Sequence, residues 1–296
     1  LKPTYGRVSR SGLLSMASSL DQIGPLTKTV EDAAIVFSKI VGEDEKDATV
    51  VGEFGKKYEN YLSGNISKIK IGVPEEYLID GMDEKVREKF QESVEKFKKI
   101  GAEIKEISLP HSKYSLATYY LIMPSEVSSN LARFDGIKYG LRINDEESSR
   151  LKNNELPRTL LETYLDTRRI GFGAEVKRRI MLGTHALSSG YYDAYYLKAQ
   201  KVRALIKKDF EKIFKEVDFI FSPTTPETAF KIGEKTKDPL KMYLSDIFTI
   251  TANLTGVPAI SFPIGKIDKL PIGGQLMGKW FDEEGILNAA YAFEIN

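Results

Sequence analysis

The chain has 296 residues and a mass of 33.3 kDa, a length that suits one large domain or two ordinary ones. Its 43 basic and 42 acidic residues give a formal net charge of +1, so no general positive field attracts nucleic acid or an anionic membrane. The absence of cysteine excludes disulfides, thiolate metal sites and cysteine nucleophiles. The composition is otherwise that of a soluble globular protein, which we expect in the cytosol.

The first 25 residues are rich in glycine, serine and proline, a composition that predicts irregular backbone. A helix is predicted next, with Thr29 as its N-cap and Gly42 as its stop signal. Its buried stripe would consist of Val30, Ala33, Ala34 and Phe37. Residues 43–65 are polar and are predicted to form a surface loop.

The best-defined unit follows this loop. Residues 68–74 alternate between polar and apolar side chains, which predicts a strand. Asp83 can cap a long helix that Gly101 ends, and residues 102–108 predict a second strand. Strand, helix and strand within about 40 residues form a βαβ unit with parallel pairing.

The rest of the chain predicts mostly helices with a few strands. Helices are expected over 113–134, with a break at Pro124, over 162–215, divided at Gly190, and over 239–255 and 283–293. Strands are expected over 218–221, 258–263 and 272–278. The charged segment 143–160 is interpreted as a surface insertion. This alternation indicates an α/β fold with a mostly parallel or mixed sheet.

Two short motifs allow a functional interpretation beside a structural one. Gly273–Lys279 matches the first seven positions of a phosphate-binding loop, but Trp280 stands where a magnesium-binding hydroxyl is needed, so a strand is favoured. Lys177-Arg178-Arg179 is either a solvated helix face or an anion clamp, and composition favours the solvated face. With two histidines and no carboxylate cluster at ligand spacing, no metal site is expected. The residues alone thus give no complete catalytic constellation.

Longer stretches carry a resemblance to a known family. They lie near the start, in the middle and near the end of the chain: residues 1–10, 17–25, 128–136, 171–180, 187–196, 253–258, 281–282 and 290–291. In this order they resemble the amidase signature family, and within it the tRNA-dependent amidotransferases. The resemblance implies a mixed β-sheet covered by helices. It also implies that residues 1–296 are the C-terminal portion of a single amidase-signature domain whose N-terminal part is missing from this chain.

The resemblance implies a glutaminase subunit that hydrolyses glutamine and supplies ammonia for converting Glu-tRNA(Gln) to Gln-tRNA(Gln). The implied partners are the amidotransferase B and C subunits, with the tRNA bound mainly through the B subunit and no membrane involved. This chain would bind no cofactor, because ATP and Mg²⁺ are used by the partner.

The family's reacting groups are two serines and a lysine that precede its equivalent of Leu1. No catalytic residue is therefore assigned here, and the chain alone is expected to be inactive. The substrate-binding residues carry over by motif: Arg179 resembles the arginine for the α-carboxylate, Asp246 the aspartate for the α-ammonium group, and Tyr119 the tyrosine that lines the site. The neighbouring Tyr120 is the alternative to Tyr119. A planar guanidinium suits a carboxylate because it binds both oxygens.

Two other functions stay open at this point. One is a different amidase-signature hydrolase that acts on small amides without partners, although an apolar amide would not need both charges of Arg179 and Asp246. The other is a catalytically inactive fragment that keeps only partner-binding surface.

Overall fold

The computed structural model describes residues 1–78, 81–141, 159–235 and 239–296. They form two compact units, which we call the sheet unit (1–13, 22–119 and 201–296) and the helical unit (14–21 and 120–200). That residues 1–296 belong to a single amidase-signature domain stays a prediction, because the division into two compact units does not test it. The insertion predicted at 143–160 lies outside the described residues, except for residues 159 and 160.

The sheet unit contains a five-stranded sheet in the order β2-β1-β3-β5-β4. β1 pairs in parallel with β2 and β3, whereas β5 pairs antiparallel with β3 and β4. The mixed α/β class expected from the sequence is therefore confirmed. The strands are β1 Lys70–Pro74, β2 Glu103–Ile107, β3 Phe219–Pro223, β4 Ala259–Ile267 and β5 Leu270–Gly278.

The predicted βαβ unit is present. Helix α2 (Glu84–Lys99) joins β1 to β2, and the Asp83 carboxylate caps it by accepting a hydrogen bond from the Lys85 amide at 2.8 Å. Gly101 follows the helix with φ at +106°, a left-handed conformation that glycine adopts without steric cost. Local cap and turn chemistry therefore sets both ends of this helix.

An aromatic core covers one face of the sheet. Helices α1 (Val30–Ile40), α2 and α9 (Glu283–Ile295) contribute buried side chains to it. The Phe97 ring lies 5.0 Å from that of Phe221 and 4.9 Å from that of Phe293. Such contacts bury large apolar areas and fix the helices against the strands.

Strands β4 and β5 form a hairpin, and each is longer than the strand predicted for it. They meet at Asp268 and Lys269, whose φ angles are +46° and +73°. Two successive left-handed residues match the twist of a tight hairpin. The sequence does not indicate this turn clearly, because Lys269 stands where such hairpins usually have glycine. The stretch Gly273–Lys279 begins within β5, so it is not a phosphate-binding loop.

Helices dominate the described residues of 115–141 and 159–213. They are α3 Ser115–Asn130, α4 Leu160–Gly171, α5 Ala174–Leu187, a π-helical turn at Asp193–Leu197, and α6 Lys198–Ile213. The break predicted at Pro124 is wrong, since α3 continues through it. Gly190 divides the later helices as predicted, with φ at +86°. Two short helices, α7 Pro239–Leu244 and α8 Ile250–Thr255, follow in the sheet unit. Within the described ranges, no helix has the length and apolar character needed to cross a membrane.

Candidate functional site

Arg179 lies in the middle of α5 in the helical unit, and its side chain is 24% exposed. Its Nε donates to Glu175 Oε1 at 2.9 Å, and its Nη1 lies 3.4 Å from Met123 Sδ on α3. Arg178 pairs with the same glutamate but is 49% exposed. Two adjacent arginines thus have different surroundings, and Arg179 is the one whose guanidinium faces a neighbouring helix.

The contact between α3 and α5 is very close one helical turn beyond Arg179. A Cβ atom at Gly183 would overlap the Pro124 carbonyl oxygen. A side chain at position 183 would therefore force the two helices apart. This close approach sets how far the Arg179 guanidinium is from α3.

Asp246 lies in the sheet unit, in the turn between α7 and α8. Its carbonyl oxygen accepts hydrogen bonds from the Thr249 amide at 3.0 Å, the Ile250 amide at 3.2 Å and the Thr249 hydroxyl at 3.0 Å. The preceding Ser245 hydroxyl accepts a hydrogen bond from Lys235 Nζ at 3.0 Å. The turn is therefore well defined by its own backbone, and Asp246 is exposed between half-buried neighbours.

The far side of this turn is fixed to the sheet. The Phe248 carbonyl oxygen accepts a hydrogen bond from Gln275 Nε2 on β5 at 3.0 Å, and the Phe248 ring packs 5.6 Å from that of Tyr77. The Tyr77 hydroxyl lies 2.6 Å from Thr251 Oγ1, and burial raises the pKa of this tyrosine. A buried tyrosine that stays neutral keeps its proton for this hydrogen bond.

Tyr119 and Tyr120 are consecutive residues of α3, and both are half-buried. Tyr119 belongs to the sheet unit and Tyr120 to the helical unit. Neither burial nor helix position separates them, so the choice of Tyr119 stays a prediction. The joint action of Arg179, in one unit, and Asp246, in the other, on one ligand also stays a prediction.

A cavity of about 340 Å³, lined by both polar and apolar residues, lies beside the Asp246 turn in the sheet unit. Thr249 and Asn253 line it from the turn and α8, and Thr224, Ser261 and Gln275 line it from the strands. The Thr224 and Ser261 hydroxyls are 2.8 Å apart. Such hydroxyl and amide groups can both donate to and accept from a small polar molecule. These lining residues were not predicted, although Thr224 lies three residues after the strand predicted over 218–221.

The helical unit has a groove with a volume of about 580 Å³. Leu165, Phe172 and Met181 contribute apolar surface to it, and Arg169 and Lys177 lie among its basic residues. Lys177 Nζ donates to the Arg169 carbonyl oxygen at 2.6 Å. In the part of the chain that the structure describes, no group of three or more histidine or acidic side chains could hold a metal ion.

Comparison with known proteins identifies what the chain is similar to. Residues 1–287 match the family model described as Amidase. The chain is 57% identical to the glutamyl-tRNA(Gln) amidotransferase A subunits of Thermodesulfovibrio yellowstonii, over 295 residues, and of Geobacillus kaustophilus, over 294. Each match covers 99% of this chain and 58% of the relative, so the chain spans less than two thirds of the length of these relatives.

Solved structures give the same picture of the fold. The crystal structure of the glutamyl-tRNA(Gln) amidotransferase A subunit of Thermotoga maritima matches with a TM-score of 0.77 at 44% identity, covering 100% of this chain and 57% of that one. A bacterial aryl acylamidase matches with a TM-score of 0.70 at 19% identity, over 99% of this chain and 57% of that one. The second likeness shows a shared fold alone.

Proposed function

Because this chain belongs to the amidase family, we propose that it is part of the glutaminase subunit of a tRNA-dependent amidotransferase. The observation that carries the proposal is the 57% identity, over 99% of the chain, to relatives named as the A subunit of glutamyl-tRNA(Gln) amidotransferase. The reaction converts glutamine and water to glutamate and ammonia. The ammonia then converts Glu-tRNA(Gln) to Gln-tRNA(Gln) in the cytoplasm.

In this proposal the chain supplies the substrate-binding residues. Arg179 binds the α-carboxylate of glutamine, Asp246 binds its α-ammonium group, and Tyr119 lines the site. The partly buried Arg179 guanidinium supports this role, because an arginine screened from water binds a carboxylate more strongly than an exposed one does. The reacting serine and its activating groups correspond to the part of the relatives that this chain does not span.

The B and C subunits of the amidotransferase are the proposed protein partners. Glu-tRNA(Gln) is bound mainly by the B subunit, which also uses ATP and Mg²⁺ to activate the glutamyl group. This division of labour requires no cofactor on the chain described here. A hydrolase of small amides is the alternative, and it would act without tRNA and would not need a charged residue for each α-group.

The test compares two nitrogen donors, glutamine and ammonium chloride. Glutamine must be hydrolysed to supply ammonia, whereas ammonium chloride bypasses that step. In the full-length protein assembled with its partners, Arg179→Ala should lower kcat/KM for glutamine roughly 30- to several-thousand-fold, because the ligand carboxylate loses its buried partner. The same complex should amidate Glu-tRNA(Gln) with ammonium chloride at the unmodified rate.

Arg178 provides a matched control, because it is the adjacent arginine and pairs with the same Glu175. Arg178→Ala should change neither activity, as expected for an exposed ion pair. Arg179→Lys should restore only part of the glutamine activity, since an ammonium group cannot bind both carboxylate oxygens as a planar guanidinium does. Equal loss with both donors would indicate misfolding, and no loss with either would remove Arg179 from the site.

A further inference from the structure

We propose that Gln275 is a positioning residue for glutamine binding, because its buried side-chain amide holds the turn that carries Asp246 against the sheet. This inference rests on the proposed function, in which Asp246 binds the α-ammonium group. It adds a residue that acts through the backbone of the turn.

Gln275 lies in the middle of β5, where its register partners are Ser222 on β3 and Ser261 on β4. Its side chain is almost fully buried, at 4% exposed. Nε2 donates to the Phe248 carbonyl oxygen at 3.0 Å and to Ser222 Oγ at 3.3 Å. A polar side chain at such a central position costs free energy unless it is hydrogen-bonded. The hydrogen bond to the Phe248 carbonyl therefore gives the buried Gln275 amide a partner that it needs at this position.

The hydrogen bonds within the turn cannot replace this contact. The Asp246 carbonyl oxygen bonds to Thr249 and Ile250, which determines the shape of the turn. Those bonds join residues within the same short segment, so they leave its position on the sheet unset. The bond from Gln275 reaches the carbonyl of Phe248, two residues after Asp246, and it ties the turn to a rigid strand. Together with the packing of the buried Phe248 ring against Tyr77, this tie fixes the place of the turn that carries Asp246.

Gln275→Leu removes the donor while keeping a side chain of similar volume. The Phe248 carbonyl then loses its buried partner, and a buried unpaired acceptor drives the surrounding backbone to rearrange. We expect KM for glutamine to rise about tenfold, the size of effect typical for one lost buried hydrogen bond. The turnover number should change less than twofold, since no reacting group is displaced.

Trp280→Phe is the matched control. Trp280 Nε1 donates to the Thr255 carbonyl oxygen at 3.0 Å, at the end of α8 that is distant from Asp246. Trp280→Phe removes one hydrogen bond to the end of α8, and it leaves the contacts of residues 246–249 in place. KM for glutamine should stay within twofold of the unmodified value, and so should the ammonium-driven reaction in both variants.

A double-mutant cycle tests whether Gln275 affects KM for glutamine through Asp246. Asp246→Asn alone should raise KM strongly, and adding Gln275→Leu to it should raise KM by less than twofold more, since both changes affect the same contact. A response to Asp246→Asn with none to Gln275→Leu would overturn this inference alone. Full additivity of the two changes, or equal loss of the ammonium-driven reaction, would also overturn it. An unchanged KM in Asp246→Asn would overturn the proposed role of Asp246 itself.

Discussion

The two residues of opposite charge that are proposed to bind glutamine are held in different ways. Arg179 is placed by a regular helix, and its Nε pairs with Glu175 one turn earlier on the same helix. Asp246 is placed by an irregular turn whose anchor, Gln275, is 27 residues away from Phe248 in the chain. The difference teaches that a charge on a helix can find its ion-pair partner within one turn, whereas the turn that carries Asp246 depends on a contact from a strand distant in sequence.

The same contrast extends to stability, and the largest effect is expected where contacts are most distant in sequence. Arg7 and Glu283 of the sheet unit are both buried, with 3.7 Å between Nε and Oε2, and Arg7 Nη2 donates to the Tyr58 hydroxyl at 2.8 Å. Arg7→Met should lower the free energy of unfolding by about 3–5 kcal/mol, because the buried Glu283 carboxylate loses the cation that is buried beside it. Urea unfolding of the full-length protein measures this.

The control for this prediction is an exposed pair in the same unit. Lys105 and Glu216 are also far apart in sequence, but each side chain is over 40% exposed. Lys105→Ala should cost about 0–1 kcal/mol. If Arg7→Met cost no more than this control, long-range polar contacts would not be what stabilises the sheet unit.

A smaller effect, with a defined pH dependence, is expected at Asp282, the N-cap of α9. Its carboxylate accepts from the Gly285 amide at 3.1 Å, but burial raises its pKa from 3.8 to about 6. The folded state therefore holds the proton more tightly than the unfolded state does, and stability is lost as the pH rises between about 4 and 6. Asp282→Asn keeps an N-cap acceptor and removes the charge.

The melting temperature of this variant should exceed that of the unmodified protein at about pH 7.5 and should equal it at about pH 4, on either side of the window in which the carboxyl titrates. The measurement is a thermal unfolding series across that range for both proteins. A gain that is the same at every pH would show that the charge of Asp282 is not its cause.

The smallest effect is expected in the helical unit, at the start of α4. Thr159 and Glu162 form a capping box, in which the Thr159 amide donates to Glu162 Oε2 at 2.9 Å and the Glu162 amide donates to Thr159 Oγ1 at 3.2 Å. Thr159→Ala should cost about 1 kcal/mol. Hydrogen exchange should become faster in the first turn of α4 and stay unchanged in β5. Faster exchange in both would contradict the local character of this helix.

Local chemistry explains which parts of the fold the sequence predicts. The caps at Thr29 and Asp83 are confirmed because each depends on residues within three positions of the helix start. The turn at Asp268 and Lys269 was missed because Lys269 stands at a left-handed position that usually carries glycine. The continuous α3 was missed because Pro124 removes one backbone donor without ending the helix. Predictions fail where tertiary packing overrides a local preference.

The candidate site was less predictable than the fold. Composition alone favours a solvated face at Arg179, and only the family resemblance gives Arg179, Asp246 and Tyr119 a role. Neither composition nor the family resemblance indicates a role for Gln275. Its role depends on the pairing of β5 with β3 and on the Phe248 carbonyl, which is far away in the chain. No spacing rule connects Gln275 to Phe248, so only the folded structure shows this contact.

The close packing of the Gly183 backbone limits which amino acids this position can accept. Because a single added methyl group would overlap the Pro124 carbonyl, even the smallest substitution must be accompanied by a shift of α5 away from α3. Arg179 is on that helix, so the shift would move its guanidinium as well. A search for altered substrate preference should therefore find Gly183 among the positions that change selectivity, even though it has no side chain to offer a ligand.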